Sequence, residues 1–456
     1  MKNEIVIVGA GPVGSLLAYL FKKRGWKVKV FEKRADGRAD SKDQGRSINL
    51  VLTSRGIDAL RLAGIDQEIM SLTVPVMGRM MHGPDGELSY QAYGIGDHEC
   101  NYSISRSKLN QKLITLAQNL GVEFFFEHKL ISYDCSNKSL VFTDNTGKEL
   151  DISAPLVAAA DGGGSRLRKD LLMTLARQDG EVYDYAEPLG SSYKELTIPS
   201  LENSAPALKV GALHIWPRGN QMLMALPNLD GSFTATVYMP DEMFRFLDSK
   251  DKVKKHFETF YADSIELMPR FCDEFFANPT GHLETIRAYP WHYKDQVFLI
   301  GDAAHGVVPF FGQGMNCGFE DCAELIHIVD EYGHNFSKIL PIYTKKRFEN
   351  GKAIADMAIE NFIEMKEKVA DSRFLLRKKV EKILEQRFPK QYKSRYGLVM
   401  YTSTPYHKAK KIGEIQNQIL DSLLSGVHSV DELNLNLAKE LIENKLGPFV
   451  SDQAGL

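Results

Sequence analysis

Six residues near the N-terminus, Gly9-Ala10-Gly11-Pro12-Val13-Gly14, have the types and spacing that let a diphosphate approach bare backbone. In a G-x-G-x-x-G turn, Gly9 permits the sharp bend, Gly11 leaves room for the pyrophosphate, and Gly14 lets a helix pack closely on a strand. The N–H groups and dipole of that helix start favour negative charge. Glu32 follows about 20 residues on, where an acid meets a ribose hydroxyl of a bound dinucleotide.

Two later segments carry chemistry of the same kind. Asp161-Gly162-Gly163-Gly164-Ser165-Arg166-Leu167-Arg168 fits D-G-x-x-S-x-x-R. Alone, Asp161 could cap a helix and Arg168 could pair with it; beside the other motifs they gain a role at the cofactor. Gly301-Asp302-Ala303-Ala304-His305 runs on through Pro309, Phe310 and Phe311 to Gly312-Gln313-Gly314-Met315-Asn316. His305 reads as a packing or hydrogen-bonding residue, and Cys317 and Cys322 as small buried residues of a helix.

These motifs need elements to hold them. Residues 4–8 (EIVIV) form a short apolar run, as in a buried parallel strand. A helix through about Lys23 and a strand over 27–31 complete a βαβ opening. Helices are expected over 52–64 and 106–119, and strands over 121–126, 139–143 and 155–160. Alternation over 220–227 and 232–239 predicts antiparallel strands with one covered face. Residues 296–300 return to a buried strand, a long helix starts near Gln313, and the chain beyond about 340 is mostly helical.

The expected fold is therefore α/β: a Rossmann-type dinucleotide-binding domain, an inserted antiparallel-sheet domain and a helical C-terminal region. The boundaries read as 1–75, 100–184 and 291–345 for the nucleotide domain, 76–99 and 185–290 for the sheet domain, and 346–456 for the helices.

Composition excludes several classes. The 456 residues carry 56 basic and 59 acidic side chains, a net charge of -3, which points to no nucleic-acid partner. Cys100, Cys135, Cys272, Cys317 and Cys322 are odd in number and form no zinc pattern, so no metal or disulfide framework is expected. With no signal segment and no long apolar span, the reading is cytoplasmic, without a membrane anchor, as a monomer or homodimer.

In order and spacing the three motifs resemble the signatures of the single-component flavoprotein aromatic hydroxylases, the para-hydroxybenzoate hydroxylase-like superfamily. The resemblance implies FAD, with Asp302 on its ribityl chain and Gly312 to Asn316 bringing a helix start to the pyrimidine ring. Backbone N–H groups there would stabilise the negative charge of a reduced flavin. With one dinucleotide fold, NADPH would visit transiently.

The resemblance narrows at Gly45-Arg46-Ser47-Ile48-Asn49-Leu50, at Leu213-His214-Ile215-Trp216-Pro217-Arg218 and from Pro309 to Cys322. These segments are similar to the kynurenine 3-monooxygenase family, from residue 3 to about 410. That family hydroxylates L-kynurenine to 3-hydroxykynurenine with NADPH and O₂, through a flavin C4a-hydroperoxide. By local context its substrate residues fall on Arg79, Tyr93, Asn361 and Tyr396. Arg79 would grip the carboxylate, the tyrosines would donate to it, and Asn361 would serve either end of the amino acid. The implied cofactor contacts are Val13, Phe31, Glu32, Lys33, Arg34, Arg46, Val51, Arg106, Leu130, Met315 and Asn316, beside Gly9, Gly11, Gly14, Asp161, Asp302 and Gly312. An FAD hydroxylase of another aromatic amine or phenol is the alternative.

Overall fold

The computed structural model describes residues 3–39, 48–96, 99–178, 180–367 and 372–450. Arg46 lies outside them. The strand Glu4–Val8 sits centrally in a six-stranded sheet, between Lys27–Phe31 and Val157–Ala159. Val297–Leu299 and Glu123–Phe125 extend it in parallel, and His292–Tyr293 closes one edge antiparallel. Ile5, Val6 and Ile7 are fully buried, in one core with the helix Pro12–Lys23 and with Leu140 and Phe142 of a strand outside this sheet, which leaves no side for a polar residue.

Register decides what this sheet can do. Val8 pairs with both Phe31 and Ala159, and Ala159 pairs with Leu299. All these strands therefore end at one level. Gly9, Glu32, Asp161 and Asp302 all leave from that edge, the carboxyl end of the strands, where open α/β sheets bind ligands.

A seven-stranded sheet stands beside it, in the order Gly281–Tyr289, Tyr183–Ile198, Phe233–Pro240, Gln221–Pro227, Ala212–Arg218, Gly78–His82 and Leu88–Ala92. Its pairings are antiparallel except one: Gly78–His82 runs parallel to Ala212–Arg218, with Arg79 opposite Leu213. An early hairpin thus completes a sheet built mostly much later in the chain.

Two small sheets were only partly foreseen. Lys129–Asp134, Ser139–Thr143 and Glu149–Ser153 form one; Asn49–Leu52, Asn101–Ser105 and Thr73–Val76 form the other. The helix expected over 52–64 starts at Ser54, because residues through Leu52 pair with Asn101–Ser105 and Thr53 is still extended. The helix Arg106–Asn119 takes the span read from its sequence, with the Ser105 hydroxyl capping its start.

Beyond residue 335 the main elements among the described residues are the helices Phe336–Glu367, Ser372–Arg387, Arg395–Tyr401, Tyr406–Leu423 and Leu435–Val450. Ile354, Met357, Tyr392, Val399 and Tyr406 of this region form one apolar core with Phe310 and Phe311. The helical region is thereby part of the wall around the site.

Candidate active site

The nucleotide turn is tightly packed everywhere except where a ligand would lie. Gly9 has φ +104°, and a Cβ on it would stand 2.3 Å from the Ala160 carbonyl oxygen. A Cβ on Gly14 would stand 2.1 Å from the Gly9 carbonyl oxygen, whereas one on Gly11 would meet nothing within 4 Å. The Glu32 carboxylate accepts from Ala10 N–H at 2.9 Å and from Arg34 N–H at 3.0 Å, which seats it beside the turn.

Some expected contacts can be made only by backbone. The Phe31 ring is buried between Phe125 and Phe142, with centroids at 4.6 and 4.2 Å, so only its main chain faces the turn. Leu130 is buried in the same core. Lys33 and Arg34 are exposed just past the strand end, and Arg106 lines the cavity from the first position of its helix.

Asp161 does cap a helix, accepting from Arg166 N–H at 2.9 Å and from Leu167 N–H at 3.4 Å. Its other oxygen is buried without a partner, and burial raises the carboxyl pKa. Arg168 does not pair with Asp161. It bonds Asp184 at 2.8 Å and donates to the carbonyls of Gly163 at 2.8 Å and Ala303 at 3.0 Å. The guanidinium thus ties the second motif to the third.

Val13 lies between the first and third motifs: added Cβ atoms at Gly301 and Gly318 would stand 3.1 and 2.6 Å from its methyls. Gly312, at φ +63°, turns the chain into the helix Gly314–Tyr332, whose start faces the cavity beside Asp302, Val51 and Met315. The Asn316 side chain is spent on backbone: it donates to the carbonyls of Val51 at 2.7 Å and Gly312 at 2.9 Å and accepts from Thr53 N–H at 3.0 Å. It holds the strand Asn49–Leu52 against the helix start, leaving only its main chain for a cofactor.

A cavity of about 360 Å³ runs from Pro12, Val13 and Asp302 to Arg79, Tyr93 and Tyr396. A second, of about 1000 Å³, shares Arg79, Tyr93, Phe311 and Tyr396 with it and adds Asn361. The rings of Tyr93 and Tyr396 stack at 5.6 Å, and the Arg79 guanidinium lies 5.3 and 5.5 Å from their centroids. Burial raises the Tyr93 pKa, so it remains a protonated donor. Asn361 donates to the Phe310 carbonyl at 2.7 Å, which fixes the aromatic wall. The pair Lys393–Glu99 joins the segment bearing Tyr396 to the one bearing Tyr93.

Sequence reading missed the groups that brace these parts. Behind the Arg79 strand, His82 Nε2 meets His214 Nδ1 at 2.8 Å, and its ring stacks on Trp216 at 3.9 Å. Burial and His214 push the His82 pKa down to about 4 against the pull of Asp263, and burial lowers His214. Beneath the Asp302 loop, Asp321 pairs with His305 at 2.5 Å and Arg347 at 2.6 Å and accepts from Gly301 N–H at 3.2 Å. Glu320 joins Arg347 at 2.7 Å to Arg55 at 2.8 Å.

Burial opposes the Asp321 charge, but His305 and Arg347 outweigh it and bring its carboxyl to about 2. Burial likewise opposes the His305 charge, yet Asp321 and Cys317 hold its pKa well above the usual imidazole value. His305, Cys317 and Asp321 offer atoms within 4.8 Å of one another, a grouping able to hold a metal. Arg347 already donates to Asp321 and to Cys317 Sγ, at 3.5 Å, so the grouping reads as an ion network. The signal available in sequence was Glu320-Asp321, two adjacent acids set between Phe319 and Cys322.

An open place above Gly11, an unpartnered buried oxygen on Asp161 and a helix start facing the cavity all suit a flavin dinucleotide. Residues 2–358 match the family described as FAD binding domain. The oxygenase of 2-methyl-3-hydroxypyridine-5-carboxylic acid superposes with a TM-score of 0.63 at 18% identity, over 80% of this chain and 93% of that one. A tetracycline destructase gives 0.63 at 16% identity, over 89% and 99%. Fold and family model define an FAD-binding protein with the flavoprotein monooxygenase fold.

Nearly full-length relatives narrow this. Kynurenine 3-monooxygenase of Myxococcus xanthus is 40% identical over 99% of this chain and 97% of its own. Those of Cytophaga hutchinsonii and Dictyostelium discoideum are 41% and 38% identical, each over 98% of this chain and 98% and 99% of their own. The chain belongs to the kynurenine 3-monooxygenase family. Among the described residues, no helix is long and apolar enough to cross a membrane.

Proposed function

We propose that this enzyme hydroxylates L-kynurenine to 3-hydroxykynurenine, consuming NADPH and O₂ and releasing NADP⁺ and water. The observation that carries the reading is Arg79, set against two stacked tyrosines in a cavity that continues to the Asp302 loop. An amino-acid substrate brings a carboxylate, and a guanidinium can grip it bidentately while Tyr93 and Tyr396 donate to it.

Gly9, Gly11 and Gly14 would take the FAD pyrophosphate and Glu32 the adenosine ribose. Asp302 would take the ribityl chain, and the N–H groups from Gly312 to Asn316 the pyrimidine edge. Bound FAD supplies hydride acceptance from NADPH and activation of O₂. The chain's own tasks are orientation and exclusion of water. Pro309, Phe310 and Phe311 wall the site, and Arg79 anchors the end of the substrate away from its ring. No strong general base is needed, because the aryl amine already makes the ortho carbon electron-rich. The setting proposed is the cytoplasm, which fits five free thiols, with the enzyme as monomer or homodimer.

Oxygen-coupled NADPH oxidation with and without L-kynurenine, with the product identified by mass, tests the reading. Stimulated oxidation with a product one oxygen heavier is expected. No stimulation and no hydroxylated product would overturn the substrate assignment.

A further inference from the structure

Asn101 opens the strand Asn101–Ser105 and is only 4% exposed, yet it lines the cavity with Arg79 and Tyr93. Its Nδ2 donates to the Tyr396 hydroxyl oxygen at 3.0 Å. Its Oδ1 is buried and has no partner. Both facts bear on a ligand. A phenol has one proton and two lone pairs; once Asn101 occupies a lone pair, the Tyr396 proton is left to be donated elsewhere. A buried amide oxygen left unpaired is costly, and a donor from a ligand would complete it.

We infer that Asn101 is a positioning and specificity residue for the amino-acid end of the substrate. This rests on the function proposed above. Its N–H commits Tyr396 to donate to the substrate carboxylate, and its carbonyl oxygen accepts from the substrate α-ammonium. The placement suits such a ligand. An α-ammonium stands one carbon from its carboxylate, so its acceptor must flank the group that grips the carboxylate. Asn101 is bonded to Tyr396, whose ring faces the Arg79 guanidinium. Recognising both ends would separate an α-amino acid from a plain aryl-keto acid of the same size.

The test compares L-kynurenine with its analogue lacking the α-amino group, 4-(2-aminophenyl)-4-oxobutanoate, using NADPH oxidation and product mass. The wild-type control comes first: failure to hydroxylate L-kynurenine would sink the proposed function, not this inference alone. Asn101→Leu should raise KM for L-kynurenine about tenfold, with kcat nearly kept and FAD content unchanged, and raise KM for the analogue distinctly less. Asn101→Asp is nearly isosteric and should fold if the leucine variant does not. Its charge repels the carboxylate and attracts the ammonium, so here KM should rise more for the analogue than for L-kynurenine. Equal changes for both substrates in both variants, or no change in either, would overturn the inference.

Discussion

Arg347 donates to Asp321 at 2.6 Å where neither side chain meets solvent, with side-chain exposures of 3% and 0%. The pair lies under the loop that presents Asp302, and Asp321 also accepts from Gly301 N–H. Arg347 serves two carboxylates, and removing it leaves Asp321 only His305 and Glu320 only Arg55 among the described cations. Arg347→Met should therefore cost about 3–5 kcal/mol of stability, with early flavin release. Thermal unfolding followed by flavin fluorescence checks this; an unchanged midpoint would assign the network no structural weight.

Arg79→Ala should raise the apparent KM for L-kynurenine by about a hundredfold, the scale of losing a desolvated charge partner, while FAD stays bound. Arg79→Lys should recover part of the loss, since an ammonium keeps the charge but not the two-pronged geometry. Steady-state kinetics beside the flavin-to-protein absorbance ratio checks both. Unchanged affinity would remove Arg79 from the carboxylate role.

Asp302→Ala should weaken FAD retention about tenfold, the scale of one charge-assisted hydrogen bond. Reconstitution of apoprotein with FAD, followed by flavin fluorescence, measures it. Arg168→Ala should weaken FAD retention without touching the cofactor, because it frees the Gly163 turn from the Ala303 loop.

The buried pair His82 and His214 predicts a particular acid sensitivity. In the unfolded chain an imidazole takes its proton near 6.5; in the fold His82 resists until about 4. Stability from this source is complete above 6.5 and is lost as pH falls through that window. His82→Phe, which can still stack on Trp216, should flatten the decline in melting temperature between pH 6.5 and 4. A wild-type melting temperature that stays level across that window would contradict the argument.

What the sequence disclosed and what it hid follow from distance along the chain. Gly9, Gly11 and Gly14 declare themselves because a turn, a strand and a helix are all local. The shared strand-end level of Glu32, Asp161 and Asp302 follows from parallel register once the strands are recognised. Arg79 and Tyr396 have no local signature and emerged only through resemblance. Asn101 was invisible because its partner lies 295 positions away. Phe31 and Asn316 show the converse: their positions were named, but packing spends their side chains elsewhere.

The clasp between Lys393 and Glu99 has a consequence for how the protein is made and damaged. Every strand of the flavin sheet has left the ribosome by Leu299, whereas the clasp and Tyr396 arrive only with the C-terminal helices. A nascent or proteolytically clipped chain ending before residue 393 would have a cofactor cradle and Arg79, but neither Tyr396 nor the clasp that completes the substrate end. The substrate end of the cavity is in this sense the last part of the protein to be finished.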